Sequence, residues 1–264
     1  MGLLRWIRDK VAQDLRFHGP PKSWDPLVFD AQRHIKREKY DQARVVLLQV
    51  LKFRDEIKDP AAIDYVLMLL GSTWLFTEKY GEGIRFFSDY IGHYSEDAGA
   101  YRERASIRWY AGQLDDAVED YSRALALNQG DVLSLSGRGQ VLAERGQGAN
   151  AIHDLDLALE EIKTAPKSDP TWIEWYKELE AFVHNGRGAA LAVLGENASA
   201  MDAFERSISM SPENAWVYYN RAQVHDLAQN FGNAQADYLT ALTKKRPPLN
   251  SIRKSRAEAR LRGM

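Results

Sequence analysis

The chain has 264 residues, of which 45% are hydrophobic and 27% charged, and its formal net charge at neutral pH is −2. This composition is ordinary for a soluble protein with a substantial core, and we expect its apolar runs to be too short for a membrane span or a secretory signal. The absence of cysteine excludes disulfides, thiolate metal sites and cysteine nucleophiles, and it agrees with a cytoplasmic location.

The small net charge conceals an uneven distribution. Residues 244–264 carry eight Lys or Arg residues against one Glu, a net charge of +7, and residues 1–23 carry a net charge of +3. The part of the chain between them therefore carries −12. We expect an acidic body with two basic ends.

The first predicted element is an N-terminal amphipathic helix in residues 1–23. In the stretch LLRWIRDKVAQDL, Leu3, Ile7 and Val11 share one face, and Arg8 and Asp9 lie largely opposite. Such a helix can cap the apolar side of the element that follows it, or lie on an anionic membrane surface. We expect the capping role because the charge of the segment is modest.

From residue 24 onward the chain repeats itself at an interval of 34 residues, with two longer spacings. Two columns of small residues lie twelve positions apart, and a bulky column follows the second one by four positions. The first small column is Ala31, Gly71, Ala105, Gly139, Gly188 and Ala222, the second is Ala43, Gly83, Ala117, Ala151, Ala200 and Ala234, and the bulky column is Leu47, Phe87, Tyr121, Leu155, Phe204 and Tyr238.

The pattern inside each repeat predicts two short amphipathic helices joined by a tight turn. The small side chains let the two helices cross closely, and the bulky ones fill the space beside the crossing. Because one hairpin cannot bury its apolar face alone, we expect the hairpins to stack into an all-α solenoid. Gly or polar residues place the turns near Glu78, Gly112, Gly146, Gly195 and Gln229.

These columns resemble the tetratricopeptide repeat family. The strings GRGQ, GRGA and NRAQ recur at matching places, Pro212 lies near the end of a repeat as in the family, and Pro247 falls one place late. The resemblance implies a right-handed α-solenoid of six repeats over residues 24–248, with extra residues at 58–63 and 166–180. The six repeats occupy the windows 24–57, 64–97, 98–131, 132–165, 181–214 and 215–248.

Charged residues also recur in register. The two places they occupy can face each other in a helix hairpin, so three repeats can each carry a partly buried Arg–Asp pair. An anion-binding site is the alternative, but an Arg with a carboxylate at hand is normally already satisfied, and we predict internal struts. The seventh place holds Arg104, Arg138, Arg187 and Arg221, and the twenty-third holds Asp120, Asp154 and Asp237.

The extra residues 166–180 are predicted to lengthen the first helix of the fifth repeat toward its N-terminus, since Ser168 or Asp169 can cap it and Pro170 lies in its first turn. Its aromatic residues then share one stripe. Packing on the second helix of the fourth repeat is the simpler role for this stripe, and a ridge that docks a partner is the alternative. The ridge residues are Trp172, Trp175 and Tyr176.

The C-terminal segment 249–264 is predicted to form a basic helix that starts at Asn250 or Ser251 and turns Ile252, Ala259 and Leu261 partly toward the sixth repeat. Solvating the end of the array is the simplest role for it. Binding of RNA or DNA is the alternative and would be steeply salt dependent. The acidic body and the lack of aromatic residues in the tail argue against nucleic acid.

The sequence shows no group of residues typical of catalysis. Six histidines are spread at about one per repeat, and the chain has no HExxH, Walker loop, GxSxG, or GxGxxG after a strand pattern. Acidic clusters such as Asp115–Asp116 lie on second helices, whose outer face is solvated, and lack EF-hand spacing. We assign no catalytic residue, metal or cofactor and expect a non-enzymatic protein.

The family resemblance implies a concave groove lined by the first helix of each repeat. The groove places carry aromatic, amide and small polar side chains, which suit a peptide or helix of a partner protein. The expected function is a cytoplasmic protein-interaction scaffold, and an adaptor that binds nucleic acid or a membrane surface through the basic ends is the alternative. The predicted groove residues are Tyr65, Met68, Ser72, Phe76, Arg102, Ser106, Trp109, Gln140, Asn185, Tyr219, Gln223 and Asp226, and Glu144 and Trp216 occupy further groove places.

Some members of the family bind the acidic C-terminus of heat-shock chaperones through Lys, Asn and Arg residues at fixed groove places. The sequence does not supply this clamp, and shifting the frame along the repeats does not restore it. We therefore do not expect a chaperone tail as the partner. In the first frame those places hold Val28, Gln32, Leu69, Gly99 and Glu103.

Overall fold

A computed structural model of the chain describes residues 25–165, 170–244 and 249–263, so the helix predicted in residues 1–23 lies outside the described residues. Within them every regular element is helical, with thirteen α-helices and one short 3-10 helix, Leu51–Phe53. The α-helices are α1 (Asp25–Lys36), α2 (Tyr40–Val50), α3 (Pro60–Thr77), α4 (Tyr80–His93), α5 (Ala98–Tyr110), α6 (Leu114–Leu127), α7 (Val132–Glu144), α8 (Gly148–Thr164), α9 (Pro170–Val193), α10 (Asn197–Met210), α11 (Ala215–Leu227), α12 (Phe231–Thr243) and α13 (Ser251–Arg262).

The first twelve helices pair into six hairpins, one for each predicted repeat, and α13 follows as a single helix. The two helices of each of the six hairpins pack on each other, and the second helix of one hairpin contacts the first helix of the next within each half of the chain. This confirms the all-α fold of stacked helix hairpins.

The hairpin turns lie where the sequence places them. In each turn one residue adopts the left-handed backbone conformation that ends the first helix, and its amide group returns to a carbonyl of the last helical turn. Glycine adopts this conformation without strain, whereas three turns use a residue with a side chain. The left-handed residues are Gly112, Gly146 and Gly195, with φ near 80°, and Glu38, Glu78 and Gln229, with φ between 53° and 60°.

The small columns lie at the helix crossings, as predicted. Every alanine in them is fully buried, and the bulky residues beside them are buried as well. The glycines leave no room for a side chain: a Cβ atom built at Gly188 would lie 2.5 Å from the Phe204 ring, and one at Gly139 would lie 2.6 Å from Leu155 Cγ. The small columns therefore let the two helices of a hairpin cross closely, and the bulky column fills the space beside the crossing.

Two helices are longer than the standard repeat. α3 starts at Pro60, within the extra residues 58–63, and the Asp59 side chain caps it by accepting from the amide of Ala61. α9 starts at Pro170 and runs for 24 residues, which confirms the predicted extension of the fifth repeat. Among the described helices, α3 alone is long and apolar enough to cross a membrane by length and composition, and 56% of that stretch is buried inside the protein, as in a core helix.

The described residues form two compact units, of which one ends at Gln129 and the other begins at Gly130. In the N-terminal unit, α1–α6, the Trp74 ring packs 5.0 Å from Phe86 and 5.8 Å from Phe87, centroid to centroid. In the C-terminal unit, α7–α13, Leu155 and Phe204 are fully buried. Each unit therefore has its own core.

Candidate functional site

The first helices of the hairpins pack directly on one another inside each unit. In the N-terminal unit α3 contacts α5, and in the C-terminal unit α9 contacts both α7 and α11. We call the surface formed by the first helices of one unit its inner face, so that α1, α3 and α5 form the N-terminal inner face and α7, α9 and α11 the C-terminal one.

The predicted groove residues differ widely in exposure. Half of them are buried, five are half-buried, and one, Gln223 on α11, is exposed. The side chains open to a partner are therefore fewer than the twelve that the repeat places predict. The buried ones are Ser72, Arg102, Trp109, Gln140, Asn185 and Tyr219, and the half-buried ones are Tyr65, Met68, Phe76, Ser106 and Asp226.

A charge cluster of the buried Arg102 and Glu103 with the half-buried Asp64 links α3 to α5 on the N-terminal inner face. Arg102 Nη2 donates to Asp64 Oδ1 at 2.8 Å, and Arg102 Nε donates to Glu103 Oε1 at 3.0 Å. The Glu103 carboxylate in turn lies against Gly71, where a Cβ atom would collide with it. The buried Arg102 guanidinium has its charge balanced and its donors used by two carboxylates of the protein itself. Arg102 therefore stabilises the fold rather than binding a partner.

Three other groove residues of this unit also have internal contacts. Gln32 Nε2 donates to the Tyr65 hydroxyl at 3.1 Å, and burial raises the pKa of Tyr65 well above its ordinary value. The Ser106 and Tyr121 hydroxyls lie 2.9 Å apart, and the Phe76 ring stacks on Tyr40 at 4.6 Å. Met68 is half-buried and forms no hydrogen bond or ring contact among the described residues. Of the groove residues of this unit, it is therefore the one whose substitution should affect stability least.

An amide ladder crosses the C-terminal inner face. Asn220 Nδ2 on α11 donates to Asn185 Oδ1 on α9 at 3.0 Å, and Asn185 Nδ2 lies 3.5 Å from Gln140 Oε1 on α7. Gln140 Nε2 also donates to the carbonyl of Phe182 at 3.3 Å. Three neighbouring first helices are thereby linked by side-chain amides, of which those of Gln140 and Asn185 are buried.

The C-terminal helix α13 packs beside α12, and its side chains reach over the C-terminal inner face. Near its start, the Arg253 guanidinium stacks over the Trp216 ring at 4.0 Å and forms an ion pair with Glu144 of α7. Near its end, Arg260 forms a bidentate ion pair with Asp226 of α11, in which Nε and Nη2 donate to the two carboxylate oxygens at 2.5 and 2.6 Å. α13 thus covers groove places of both α7 and α11.

Between these two anchors, Ala257 is fully buried and packs in the cluster formed by Tyr219, Ala222 and Tyr238. Burial is the main cause of the raised pKa of Tyr219, whose hydroxyl also accepts a hydrogen bond from Arg256. The predicted contact face of the tail was wrong in part. Ile252 and Ala259 are exposed and only Leu261 packs partly, because the surface beneath α13 offers carboxylates and rings that favour guanidinium groups.

All three predicted Arg–Asp pairs form, each with two hydrogen bonds from one guanidinium to one carboxylate. The N···O distances are 2.7 and 2.8 Å in every pair. Arg187, whose own repeat has no Asp at the facing place, reaches instead to Asp156 of α8 at 2.9 Å. The pairs join the two helices of a hairpin and confirm the strut interpretation: Arg104–Asp120, Arg138–Asp154 and Arg221–Asp237.

The predicted docking ridge lies on the N-terminal extension of α9. The Trp175 and Tyr176 rings are half-buried and contact each other at a centroid distance of 4.6 Å, and burial raises the pKa of Tyr176. The side chain of Trp172 lies outside the described residues. Leu179 and Val183, further along the same helix, are fully buried.

Burial lowers the pKa of one histidine of the C-terminal unit. His184 of α9 is buried, and this burial lowers its pKa below the ordinary 6.5, against the opposing effect of Glu180, whose Oε1 lies 3.8 Å from His184 Nε2. The nearby Arg187 and Arg206 act in the same direction as burial. His184 lines a cleft between α9 and α10.

Three features of the C-terminal inner face were missed from the sequence. They are the contact of Arg253 with Trp216, the ion pair of Arg260 with Asp226, and the role of Asn220 in the ladder. The tail did carry a signal for the first two, since Arg253, Ala257 and Arg260 fall at helical positions that share one face.

Comparisons with known proteins agree with this geometry. A family model described as tetratricopeptide repeat matches residues 102–169. The Hsp70-Hsp90 organizing protein of Triticum aestivum is 27% identical over 113 residues, which is 43% of this chain and 17% of that protein. The cellulose synthase operon protein C of Pseudomonas fluorescens is 26% identical over 151 residues, 56% of this chain and 11% of that protein. The chain therefore spans less than a fifth of the length of these curated relatives.

Two solved structures share the fold. The APC/C hetero-tetramer Cut9-Hcn1 superimposes with a TM-score of 0.66 at 17% identity, over 97% of this chain and 46% of that one. A tetratricopeptide repeat protein from Parabacteroides merdae superimposes with a TM-score of 0.50 at 18% identity, over 90% of this chain and 98% of that one. At these identities the likeness concerns the fold alone.

Proposed function

We propose that this chain, whose residues 102–169 match the tetratricopeptide repeat family, is a non-enzymatic scaffold that binds a helix or peptide of a partner protein on its inner faces. Family and fold support protein–protein interaction in general. Folds of this kind serve many roles, so the fold alone does not identify the binding surface. The residues of the inner face are the reason for proposing it. We place this function in the cytoplasm.

The contact of α13 with the C-terminal inner face carries the proposal. This face accommodates a helix through a cation–π contact at Trp216, a buried alanine against Tyr219 and an ion pair at Asp226. Aromatic anchors surrounded by charged and amide groups are the ordinary composition of a helix-binding groove. A surface that receives a helix of its own chain has the width and chemistry to receive one from another protein.

The chaperone tail that some family members bind does not suit the N-terminal inner face. The name of the wheat relative connects that protein with Hsp70 and Hsp90. In this chain, however, the corresponding places hold a fully buried Leu69, a Glu103 occupied by Arg102, and a Gln32 hydrogen-bonded to Tyr65. An acidic peptide would meet no free cation at these three places, so we propose a partner of different chemistry.

The alternative, binding of nucleic acid or a membrane through the basic ends, loses support at the C-terminus. Arg253 and Arg260 are paired with carboxylates of the same unit, and Arg256 is engaged by Tyr219. Exchanging these partners for phosphates would leave Glu144 and Asp226 without their cations. The N-terminal segment, residues 1–24, lies outside the described residues.

Affinity capture with matched variants tests the proposal. The inner-face variant combines Met68→Glu with Gln223→Arg, one substitution per unit at half-buried or exposed positions. The control combines Val45→Glu with Leu239→Arg, at positions exposed on second helices at 57% and 51%, and leaves the net charge unchanged as the inner-face variant does. Arg102 and Tyr219 are unsuitable as test positions because they are buried and satisfied internally.

We expect a protein partner that is captured by the wild type and the control but lost by the inner-face variant, with equal melting temperatures for all three. Capture that survives the inner-face substitutions and is lost in the control would place the interaction on the outer surface. Mass spectrometry of the captured proteins, with and without nuclease treatment, separates a protein partner from one held through nucleic acid.

A further inference from the structure

We propose that α13 is a displaceable occupant of the C-terminal inner face, and that the external partner of this face is a basic amphipathic helix with two arginines seven residues apart and a small residue between them. This inference rests on the proposed function and specifies the partner of the same surface. It follows from the way in which α13 is held.

The contacting residues of α13 form one stripe. Arg253, Ala257 and Arg260 stand at positions i, i+4 and i+7 of the helix, which places them on the same face two turns apart. Arg256, at i+3, adds its hydrogen bond to the Tyr219 hydroxyl. The stripe thus has the order arginine, small residue, arginine, and each member meets a different feature of the inner face.

The receiving surface is complementary to this stripe. Glu144 and Asp226 provide a carboxylate at each end, and the Trp216 ring, itself buried, provides a flat surface for the first guanidinium. Between them Tyr219 and Ala222 leave space for a methyl group but not for a larger side chain, since Ala257 fills it with no exposed surface. A helix with a bulky residue at the central place would not seat.

The attachment of α13 depends on charge more than on apolar area. Within this helix only Arg253 and Ala257 are buried, whereas α12 beside it buries Ala234, Tyr238 and Ala241. Ion pairs of this kind are weakened by salt, and the apolar contacts of α13 that then remain are those of the buried Ala257 and the partly buried Leu261. α13 is therefore the element of this unit that a competing helix displaces most easily.

Covalent attachment gives α13 an advantage over a free helix. A short tether raises the effective concentration of a docked segment to about the millimolar range, so an external helix with the same contacts binds the intact protein weakly. Undocking α13 removes this competition and exposes Glu144, Trp216 and Asp226 together. The external partner and α13 are thus alternatives on one surface.

Two full-length variants with the same change in net charge test this inference. Arg253→Glu with Arg260→Glu removes both anchors, and Lys254→Glu with Arg262→Glu alters exposed residues of the same helix. The probe is a fluorescent synthetic peptide of residues 249–264, and a peptide with Glu at positions 253 and 260 is the matched control. Amide hydrogen exchange over residues 251–262 reports docking of α13, and fluorescence anisotropy reports binding of the peptide.

We expect α13 of the first variant to lose its protection from hydrogen exchange. This variant should also bind the peptide at least about tenfold more tightly than the wild type does, because the tethered competitor no longer occupies the surface. The second variant should resemble the wild type, and the control peptide should not bind. Adding Glu144→Lys and Asp226→Lys to the first variant reverses both ion pairs, and should restore protection and abolish peptide binding.

Two results would overturn the inference: α13 stays as protected in the first variant as in the wild type, or it opens and the exposed face does not bind the peptide. The first result would make α13 a fixed cap, and the second would show that the exposed face does not accept a basic helix of this kind. Capture of a protein partner that depends on Met68 and Gln223 would still support the proposed function, so the two failures can be told apart.

Discussion

Arg138 and Asp154 face each other across the hairpin of α7 and α8, with guanidinium nitrogens 2.7 and 2.8 Å from the two carboxylate oxygens. The Asp154 side chain is only 3% exposed, so its charge depends on this one partner for compensation. The same geometry recurs in the hairpins of α5–α6 and α11–α12. A contact that repeats wherever the sequence supplies both residues is part of the framework and not a ligand site.

Replacing Arg138 by Ala should lower the free energy of unfolding by about 2 to 3 kcal/mol, because it leaves the Asp154 carboxylate buried without its cation. Denaturant titration measures this loss. The double variant Arg138→Met, Asp154→Leu should lose less than Arg138→Met alone, since no unpaired charge remains. An unchanged stability of Arg138→Ala combined with weaker partner capture would instead indicate a binding role.

The helix crossings are predicted to reject even a methyl group. Gly188→Ala brings a Cβ atom to 2.5 Å from the Phe204 ring and should cost about 1 to 3 kcal/mol of unfolding free energy. Gly232→Ala, in the first turn of α12, meets nothing within 4 Å and should be neutral or stabilising by up to about 1 kcal/mol. Thermal melts of both variants check the prediction, which fails if the two substitutions have effects of the same sign.

The left-handed turns offer a second matched pair. Gln229 has φ of 59°, a conformation that costs a residue with a Cβ about 1 kcal/mol, so Gln229→Gly should stabilise the protein by an amount below that cost. Gly146 has φ of 75°, and Gly146→Ala should destabilise the protein by about 1 kcal/mol. Equal and unchanged midpoints in urea for both variants would show that turn strain does not contribute.

Stability should fall below neutral pH through His184. Its folded-state pKa is lowered by burial, so below pH 6.5 the unfolded chain takes up a proton that the native protein resists. The stabilisation from His184 is therefore present above its unfolded pKa and is lost as the pH falls through the folded one. Against His184→Gln, the wild type should lose relative stability over about pH 7 to 5 in urea titrations, whereas the exposed His153→Gln should track the wild type. Parallel curves for wild type and His184→Gln would contradict the assignment.

Much of the fold was predictable because it follows from local spacing. The columns through Gly188 and Phe204 set where helices cross, and the turn at Gly146 sets where one helix ends, so both the number and the order of hairpins follow from the sequence. The Arg138–Asp154 pair could be predicted for the same reason, since both residues belong to one hairpin.

The candidate site was less predictable because exposure depends on contacts between hairpins. Arg102 occupies a groove place, yet it is buried and donates a hydrogen bond to Asp64 on a neighbouring hairpin, 38 positions earlier. Tyr219 also occupies a groove place, and α13 and Tyr238 cover it. The position of a residue in the repeat predicts which way its side chain faces. It does not predict whether another segment, such as α13, covers that side chain.

The central claim, that a partner protein binds the inner face, is tested most directly by photo-crosslinking in cells. Gln223→benzoylphenylalanine places a photoreactive group on the exposed part of α11, and Leu239→benzoylphenylalanine places the same group on the outer helix α12 of the same hairpin. We predict that irradiation joins a partner protein to position 223 and not to position 239. A crosslink to the same partner from position 239 with none from position 223 would contradict the account.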